Sequence, residues 1–233
     1  MKTVIMTGAS KGIGFATAKM FADEGHRVIN LSRTPAPDGR IHNAAIDLAS
    51  PALGDQLQQL MSEQLSEPTE IILIHNAAKL ASDQTQATSE ADFRAVMDIN
   101  LVAPHVLNQH IIPKMTEGSA ILYVGSTLSE KAVPGSYTYV VSKHAMIGMM
   151  RSTCQDLAGT GIHTACICPG FTNTEMLRDH VGQDEEILAA IAATQTFNRL
   201  VEPQEIAATL FFAATQPVIN GAIIHANLGQ VES

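Results

Sequence analysis

Tyr139 and Lys143 stand four residues apart, the spacing that sets two side chains on one face of a helix. They close the stretch 125–143, G-S-T-L-S-E-K-A-V-P-G-S-Y-T-Y-V-V-S-K, whose second half reads as an opening helical turn. Ser126 precedes the tyrosine by thirteen residues and follows the apolar run 120–124, which reads as a buried strand. A strand end and a helix start bring the three together. A free phenol titrates near about 10 and exchanges protons sluggishly at neutral pH, but an ammonium beside it favours the phenolate and draws that value down. Tyr139 would then pass a proton to or from a substrate oxygen while Ser126 hydrogen-bonds the same oxygen. The same residues also suit a tyrosine packed between helix and sheet with a solvated lysine. Tyr137 is an internal control, because four residues beyond it stands Val141 and not a cation.

The elements that must position this group begin at the N-terminus. Residues 4–14, V-I-M-T-G-A-S-K-G-I-G, pass from an apolar strand through a glycine turn into a helical pattern over 15–24. Glycines let the backbone approach a pyrophosphate closely, and the free N–H groups and dipole at a helix start bind its charge. A tight turn with nothing bound is the alternative. The next strand, 27–31, ends in Ser32-Arg33, where a dinucleotide fold that prefers NAD usually shows an acidic group for the ribose 2′-hydroxyl. Arg33 and Lys11 instead supply two cations, as a 2′-phosphate requires, so NADP(H) is expected over NAD(H). Residues 34–39, T-P-A-P-D-G, are too short and too proline-broken for a helix.

A third strand over 41–46 runs to Asp47 and Leu48, whose carboxylate and backbone are placed to hold an adenine edge. A helix over 51–65 and an apolar strand over 70–74 follow. His75-Asn76-Ala77-Ala78 then forms a loop at the carboxyl end of a parallel strand, where ligands bind in open α/β sheets. His75 is either catalytic or, more commonly for such a residue, a satisfied core histidine. A long helical pattern covers 89–115 with Asn100 inside it. Its amide competes for backbone bonds, so it either kinks the helix and binds a water beneath the site or faces solvent between apolar turns. A sixth strand over 161–168 stops at the Pro169-Gly170 turn. Residues 173–196 suggest one or two short helices, 202–215 a helix with proline and acids at its positive end, and 222–226 the last strand.

With 233 residues the chain suits one sizeable core, read as a single domain over 1–233, since no linker, repeat or low-complexity tract divides it. A net charge of −9 without a basic run argues against nucleic acid and against an anionic membrane surface. No charged leader or apolar run near about 18 residues is visible, which predicts a cytoplasmic protein. Cys154, Cys166 and Cys168 agree with a reducing compartment. Cys166 and Cys168 point the same way from a strand, but without a partner C-x-x-C or His pair they read as core thiols, and no metal is expected.

Together these motifs carry a resemblance. T-G-A-S-K-G-I-G at 7–14, N-A-A at 76–78, Asn100, Ser126, Y-V-V-S-K at 139–143 and P-G-F-T-N-T at 169–174 follow the order and spacing of the short-chain dehydrogenase/reductase family. The resemblance implies that Tyr139 is the general acid in carbonyl reduction. Lys143 lowers its pKa and holds the nicotinamide ribose, Ser126 polarises the carbonyl, and Asn100 fixes the relay water. Gly8, Ser10, Lys11, Gly12, Ile13 and Gly14 would lie along the cofactor, with Asp47 and Leu48 at adenine and Asn76 and Ala77 on the cofactor-side strand. Pro169, Gly170, Thr172 and Thr174 would border the nicotinamide, with Tyr139 and Lys143 touching it too. Lys11 and Arg33 match positions used by members that prefer NADP.

Four departures stand out: N-A-A in place of N-A-G, Ser126 in G-S-T in place of S-S with its distance from the tyrosine kept, a C-terminal Asn227-Leu228-Gly229 in place of D-G-G, and no helix between the second and third strands. The expected fold is a single doubly wound Rossmann-like α/β domain, a seven-stranded parallel sheet with helices on both faces, and a substrate lid at about 173–198. The expected function is NADP(H)-dependent interconversion of a carbonyl and an alcohol by hydride transfer. An epimerase or dehydratase on the same scaffold and a non-catalytic NADP-binding regulator are the alternatives. The first usually needs a larger substrate domain, and the intact Asn100, Ser126, Tyr139 and Lys143 weigh against the second. Apolar Leu128, Val133, Phe171, Met176 and Leu177 are expected around a small-molecule substrate. The family also implies a homodimer or homotetramer built on the two long helices.

Overall fold

The apolar runs form seven strands: β1 (Thr3–Thr7), β2 (Arg27–Leu31), β3 (Ile41–Ala44), β4 (Ile71–His75), β5 (Ala120–Val124), β6 (His163–Pro169) and β7 (Ala222–Ala226). In the computed structural model, which describes residues 1–182 and 184–230, they make one sheet in the order β3-β2-β1-β4-β5-β6-β7, each pair parallel. β1, β4, β5 and β6 are buried along their whole length, as strands covered on both faces must be.

Alternation along each strand divides the core in two. Ile5, Leu73, Ile121 and Tyr123 pack with α2 (Leu53–Gln64), α4 (Ala103–Ile111) and α5 (Tyr137–Asp156). Met6, Ile74, Leu122 and Ile167 pack on the other face with α1 (Gly12–Asp23) and α8 (Pro203–Thr215). The remaining helices are α3 (Glu90–Met97), α6 (Glu175–Val181) and α7 (Glu185–Ala192). No helix among the described residues is long and apolar enough to cross a membrane. The chain builds outward from β1 to β3 and then crosses back to β4, so the strand order reverses between β1 and β4, the place where such sheets open a crevice at their carboxyl ends.

Residues 34–40 hold no helix, as read from the sequence, and a polar network does its work. Buried Asn30 accepts the Ala9 N–H (2.9 Å) and donates to Asn43 Oδ1 (2.9 Å), which also accepts the Ala36 N–H (2.8 Å). Arg40 pairs with Asp38 (2.6 Å) and with Asp23 at the end of α1 (2.9 Å). The short connection is thus fastened to the glycine turn at one end and to α1 at the other.

Several boundaries differ from expectation. β3 stops at Ala44, not 46, because Asp47 accepts the Ala49 N–H (3.0 Å) in a local turn that ends the extended backbone. β6 starts at His163, since Gly161 takes a φ of +74° that a strand does not accommodate. The 89–115 helix is broken: α3 gives way to a π-helical turn, Asp98–Val102, before α4, and a 3-10 turn, Ile112–Lys114, closes it. The 173–196 segment forms α6 and α7; residue 183 between them lies outside the described residues.

Candidate active site

β1 delivers the chain into the glycine turn, where Gly8 takes a φ of +69°, a region in which a side chain is strained. A Cβ on Gly14 would lie 2.1 Å from the Gly8 carbonyl oxygen, so only glycine lets α1 start this close to β1. Lys11 makes no side-chain cap to α1 and the first turn carries no acid, leaving its N–H groups directed at whatever anion enters. Asn76 clamps the turn from β4, its Nδ2 donating to the carbonyls of Thr7 (3.0 Å) and Gly8 (3.1 Å). The backbone N–H groups of Asn76 and Ala77 both donate to Thr7 Oγ1 (3.0 Å each). Ala78 avoids positive φ, the condition under which N-A-A replaces N-A-G. This cradle fits a dinucleotide pyrophosphate.

Two strands over, β5 ends at Val124 and Ser126 caps a single 3-10 turn, its Oγ accepting the Leu128 N–H (3.1 Å) while its own N–H donates to Ser129 Oγ (3.1 Å). Tyr139 lies half-buried in the first turn of α5, and Lys143, one turn on, is 1% exposed. The Lys143 Nζ donates to the Val124 carbonyl (2.6 Å) and lies 5.4 Å from the centre of the Tyr139 ring. Burial pulls the amine down to about 8. The phenol departs from expectation: burial pushes it up to about 12, with the Ser126 hydroxyl pulling in the other direction. The Lys143 head is turned to the Val124 carbonyl and, with a weakened hold on its own proton, does not acidify Tyr139 in this arrangement.

Asn100 sits in the π-helical turn and is fully buried, which overturns the solvent-facing alternative. Its Oδ1 accepts the Lys79 N–H (2.8 Å), and its Nδ2 donates to the Lys79 carbonyl (3.1 Å) and to Ser142 Oγ (2.9 Å). The widened turn lets one amide satisfy three partners that a regular helix would hold apart. His75 is a core residue: 1% exposed, bonded through Nε2 to Asn108 Oδ1 (2.9 Å) and lowered to about 4 by burial. The sulfurs of Cys166 and Cys168 lie 3.9 Å apart, both buried.

The remaining candidates lie at or after the ends of β2, β3 and β6 and at the start of α1. Arg33 and Lys11 are exposed, and neither pairs with a carboxylate among the described residues. Asp47 is exposed, Leu48 half-buried against the core, and Ser10 and Ile13 half-buried beside the turn. Pro169 and Thr172 are buried, with Thr172 Oγ1 donating to the Gly170 carbonyl (3.0 Å) and the Gly170 N–H donating to Ala226 O (3.0 Å). Thr174 caps α6 through the Leu177 N–H (3.4 Å), and a Cβ on Gly12 would lie 3.2 Å from its methyl group, so the start of α6 closes over the glycine turn. A groove of about 700 Å³ along α1, α6 and α8 reaches Gly12 and Thr174 but is lined by none of Ser126, Tyr139 and Lys143. The site is therefore defined by its chemistry. Sequence reading missed Asn30, whose signal was a polar residue inside the apolar strand V-I-N-L.

The comparisons with known proteins agree with this arrangement. The family model described as enoyl-(acyl carrier protein) reductase matches residues 8–230. An uncharacterized oxidoreductase of Thermotoga maritima is 28% identical over 247 aligned residues, spanning 98% of this chain and 96% of that protein. The 3-oxoacyl-(acyl-carrier-protein) reductase of Rickettsia felis is 28% identical over 239, spanning 99% and 97%. A solved structure of 4-hydroxyisoleucine dehydrogenase complexed with NADH superposes with a TM-score of 0.83 at 26% identity, covering 98% of each chain. A glycine turn at the strand reversal, a tyrosine and lysine one helical turn apart, and a family match over nearly the whole length lead to one conclusion: the chain belongs to the short-chain dehydrogenase/reductase family of oxidoreductases.

Proposed function

We propose that the protein is an NADP(H)-dependent oxidoreductase that interconverts a ketone or aldehyde and the corresponding alcohol. The observation that supports this reading is that Ser126 and the amine of buried Lys143 meet the carboxyl end of β5, with Tyr139 one helical turn before that lysine, two strands from the uncapped glycine turn at the carboxyl end of β1. The nicotinamide, when bound, would donate or accept the hydride. The chain's residues do the rest. Gly8, Gly12 and Gly14 with the open end of α1 hold the pyrophosphate, and Ser126 hydrogen-bonds the substrate oxygen. Tyr139, whose phenol stays protonated at neutral pH, delivers the proton in the reductive direction. Asn100 fixes the loop at Lys79 beside α5.

The test is a scan of ketones and aldehydes followed by loss of NADPH absorbance. Turnover that disappears in Tyr139→Phe supports the proposal; a chain that binds NADPH yet reduces no carbonyl overturns it. An apolar substrate is the expectation that the sequence attaches to Leu128, Val133, Phe171, Met176 and Leu177. The Rickettsia relative reduces 3-oxoacyl-(acyl-carrier-protein) by its name, but the net charge of −9 disfavours docking of an acidic carrier. A strong preference for a highly charged substrate would contradict this.

Cofactor choice rests on Lys11 and Arg33, which pair with no carboxylate among the described residues. The 4-hydroxyisoleucine dehydrogenase relative was solved with NADH, so the test measures both cofactors side by side. Arg33→Ala is expected to weaken NADPH binding about tenfold, the loss of one charge-assisted contact to the 2′-phosphate, with NADH affinity unchanged. Equal loss for both cofactors in a calorimetric titration would remove Arg33 from that role. Association through α4 and α5 into a dimer or tetramer is expected by light scattering; a monomer would reject it.

A further inference from the structure

Helix α5 carries Tyr139, yet nothing local caps it. Ser136, at the N-cap, makes no side-chain hydrogen bond, and the first turn contains no acid. The cap comes from elsewhere. Asp83, fifty-five residues earlier, accepts the Thr138 N–H on Oδ1 (3.1 Å) and the Thr138 hydroxyl on Oδ2. Its backbone N–H donates to the Gly135 carbonyl (3.0 Å), and its own carbonyl accepts the Tyr137 N–H (3.4 Å), so Asp83 and Ser136 pair as a short parallel bridge. Thr138 is completely buried.

We propose that Asp83 is a positioning residue for the proton transfer assigned to Tyr139, acting as a cap in trans that sets the first turn of α5. The inference rests on the reading of Tyr139 as the acid. A carboxylate at a helix N-terminus satisfies free N–H groups and meets the positive end of the dipole. Here the same carboxylate also ties that turn to the segment leaving β4. Two attachments of one segment then bracket the tyrosine. Asp83 holds Thr138, the residue before it, while Lys79 is held by Asn100, whose amide reaches Ser142, and the Ser142 hydroxyl in turn donates to the Tyr139 carbonyl (2.8 Å). Ser82, between the two, bonds His180 of α6 (3.3 Å). Residues 79–83 thus form a strut that fixes the tyrosine-bearing turn from both sides. A small displacement of a reacting group is costly in rate even when binding is intact, which gives the strut a catalytic consequence.

The test compares Asp83→Ala with Asp83→Asn. The asparagine keeps an oxygen for the Thr138 N–H and an amide that the Thr138 hydroxyl can accept from, so its kcat is expected within about threefold of wild type. The alanine is expected to lower kcat about tenfold with KM for the carbonyl and the NADPH dissociation constant within about twofold. Thr138→Val, which keeps the backbone donor and deletes only the hydroxyl, is expected to lose about threefold and covers the case in which the alanine variant does not fold. Hydrogen exchange at the Thr138 amide should accelerate in Asp83→Ala and stay near wild type in Asp83→Asn. This readout needs no turnover, so it decides the cap even if the wild type reduces no carbonyl and the proposed function itself fails. Wild-type kcat in Asp83→Ala, unchanged Thr138 exchange, or parallel loss of NADPH binding and thermal stability would each overturn the positioning role.

Discussion

Tyr139→Phe is expected to lower kcat by roughly 10²–10⁴-fold while leaving the NADPH dissociation constant within about twofold, because the change removes one hydroxyl and keeps the ring. The ring is part of the packing above Lys143, so phenylalanine preserves the crevice and isolates the proton. With the phenol pushed up to about 12 by burial, Tyr139 is protonated throughout the neutral range. Reduction needs that protonated form and should change little with pH below about pH 9, whereas oxidation needs the phenolate and should climb as pH rises. Stopped-flow measurement of both directions checks the sign. A Tyr139→Phe enzyme that retains full turnover, or an oxidation rate that falls as pH rises, would show that the proton travels by another group.

Lys143→Met is expected to cost about 100-fold in kcat, because the lysine assigned to hold the nicotinamide ribose would no longer orient it, and it makes a second, independent prediction about stability. The amine titrates near about 8 in the folded chain against an ordinary 10.5, because burial disfavours its charge. Between those values the unfolded chain holds a proton that the folded chain has released, so stability rises as pH goes up through the interval. At neutral pH the folded state carries the full cost of the buried ammonium. The gap corresponds to on the order of 3 kcal/mol. Urea unfolding should therefore show wild type gaining on Lys143→Met between about pH 8 and about pH 10. Above that, Tyr139 acts in the opposite sense: the unfolded phenol ionises near 10 while the folded one holds its proton to about 12, so stability falls, and Tyr139→Phe lacks that fall. Parallel stability curves for wild type and Lys143→Met across the range would mean that the amine is not desolvated.

The two largest predictions depend on residues that were legible before any coordinates. Tyr139, Lys143 and Ser126 announce themselves because a four-residue spacing on a helix and a strand terminus are local features of the chain. The glycine turn is local in the same way: 2.1 Å between a would-be Cβ on Gly14 and the Gly8 oxygen is a contact between residues six apart. The absence of a helix over 34–40 follows from two prolines and a glycine in seven residues. Boundary errors came from short-range competition that pattern reading does not weigh, as where Asp47 turns the chain after β3.

The properties that spacing does not reveal are those set by environment. A nearby ammonium predicts an acidified phenol, but Lys143 is buried and Tyr139 half-buried, and desolvation moves the phenol up and the amine down. Asn100 gave two readings until its three partners, at Lys79 and Ser142, showed a buried amide in a widened turn. Asp83 has no local signal at all, since its partner is fifty-five residues away. Residue identity and periodicity alone determined the parallel sheet, the glycine turn and the setting of Ser126, Tyr139 and Lys143 at a strand end and a helix start, because backbone geometry converts spacing directly into direction. Which groups are dry, which are capped from a distance and which way protons are held was decided only when β1, β4, β5 and α5 packed together, because solvation and long-range hydrogen bonds exist only between segments that the fold has brought into contact.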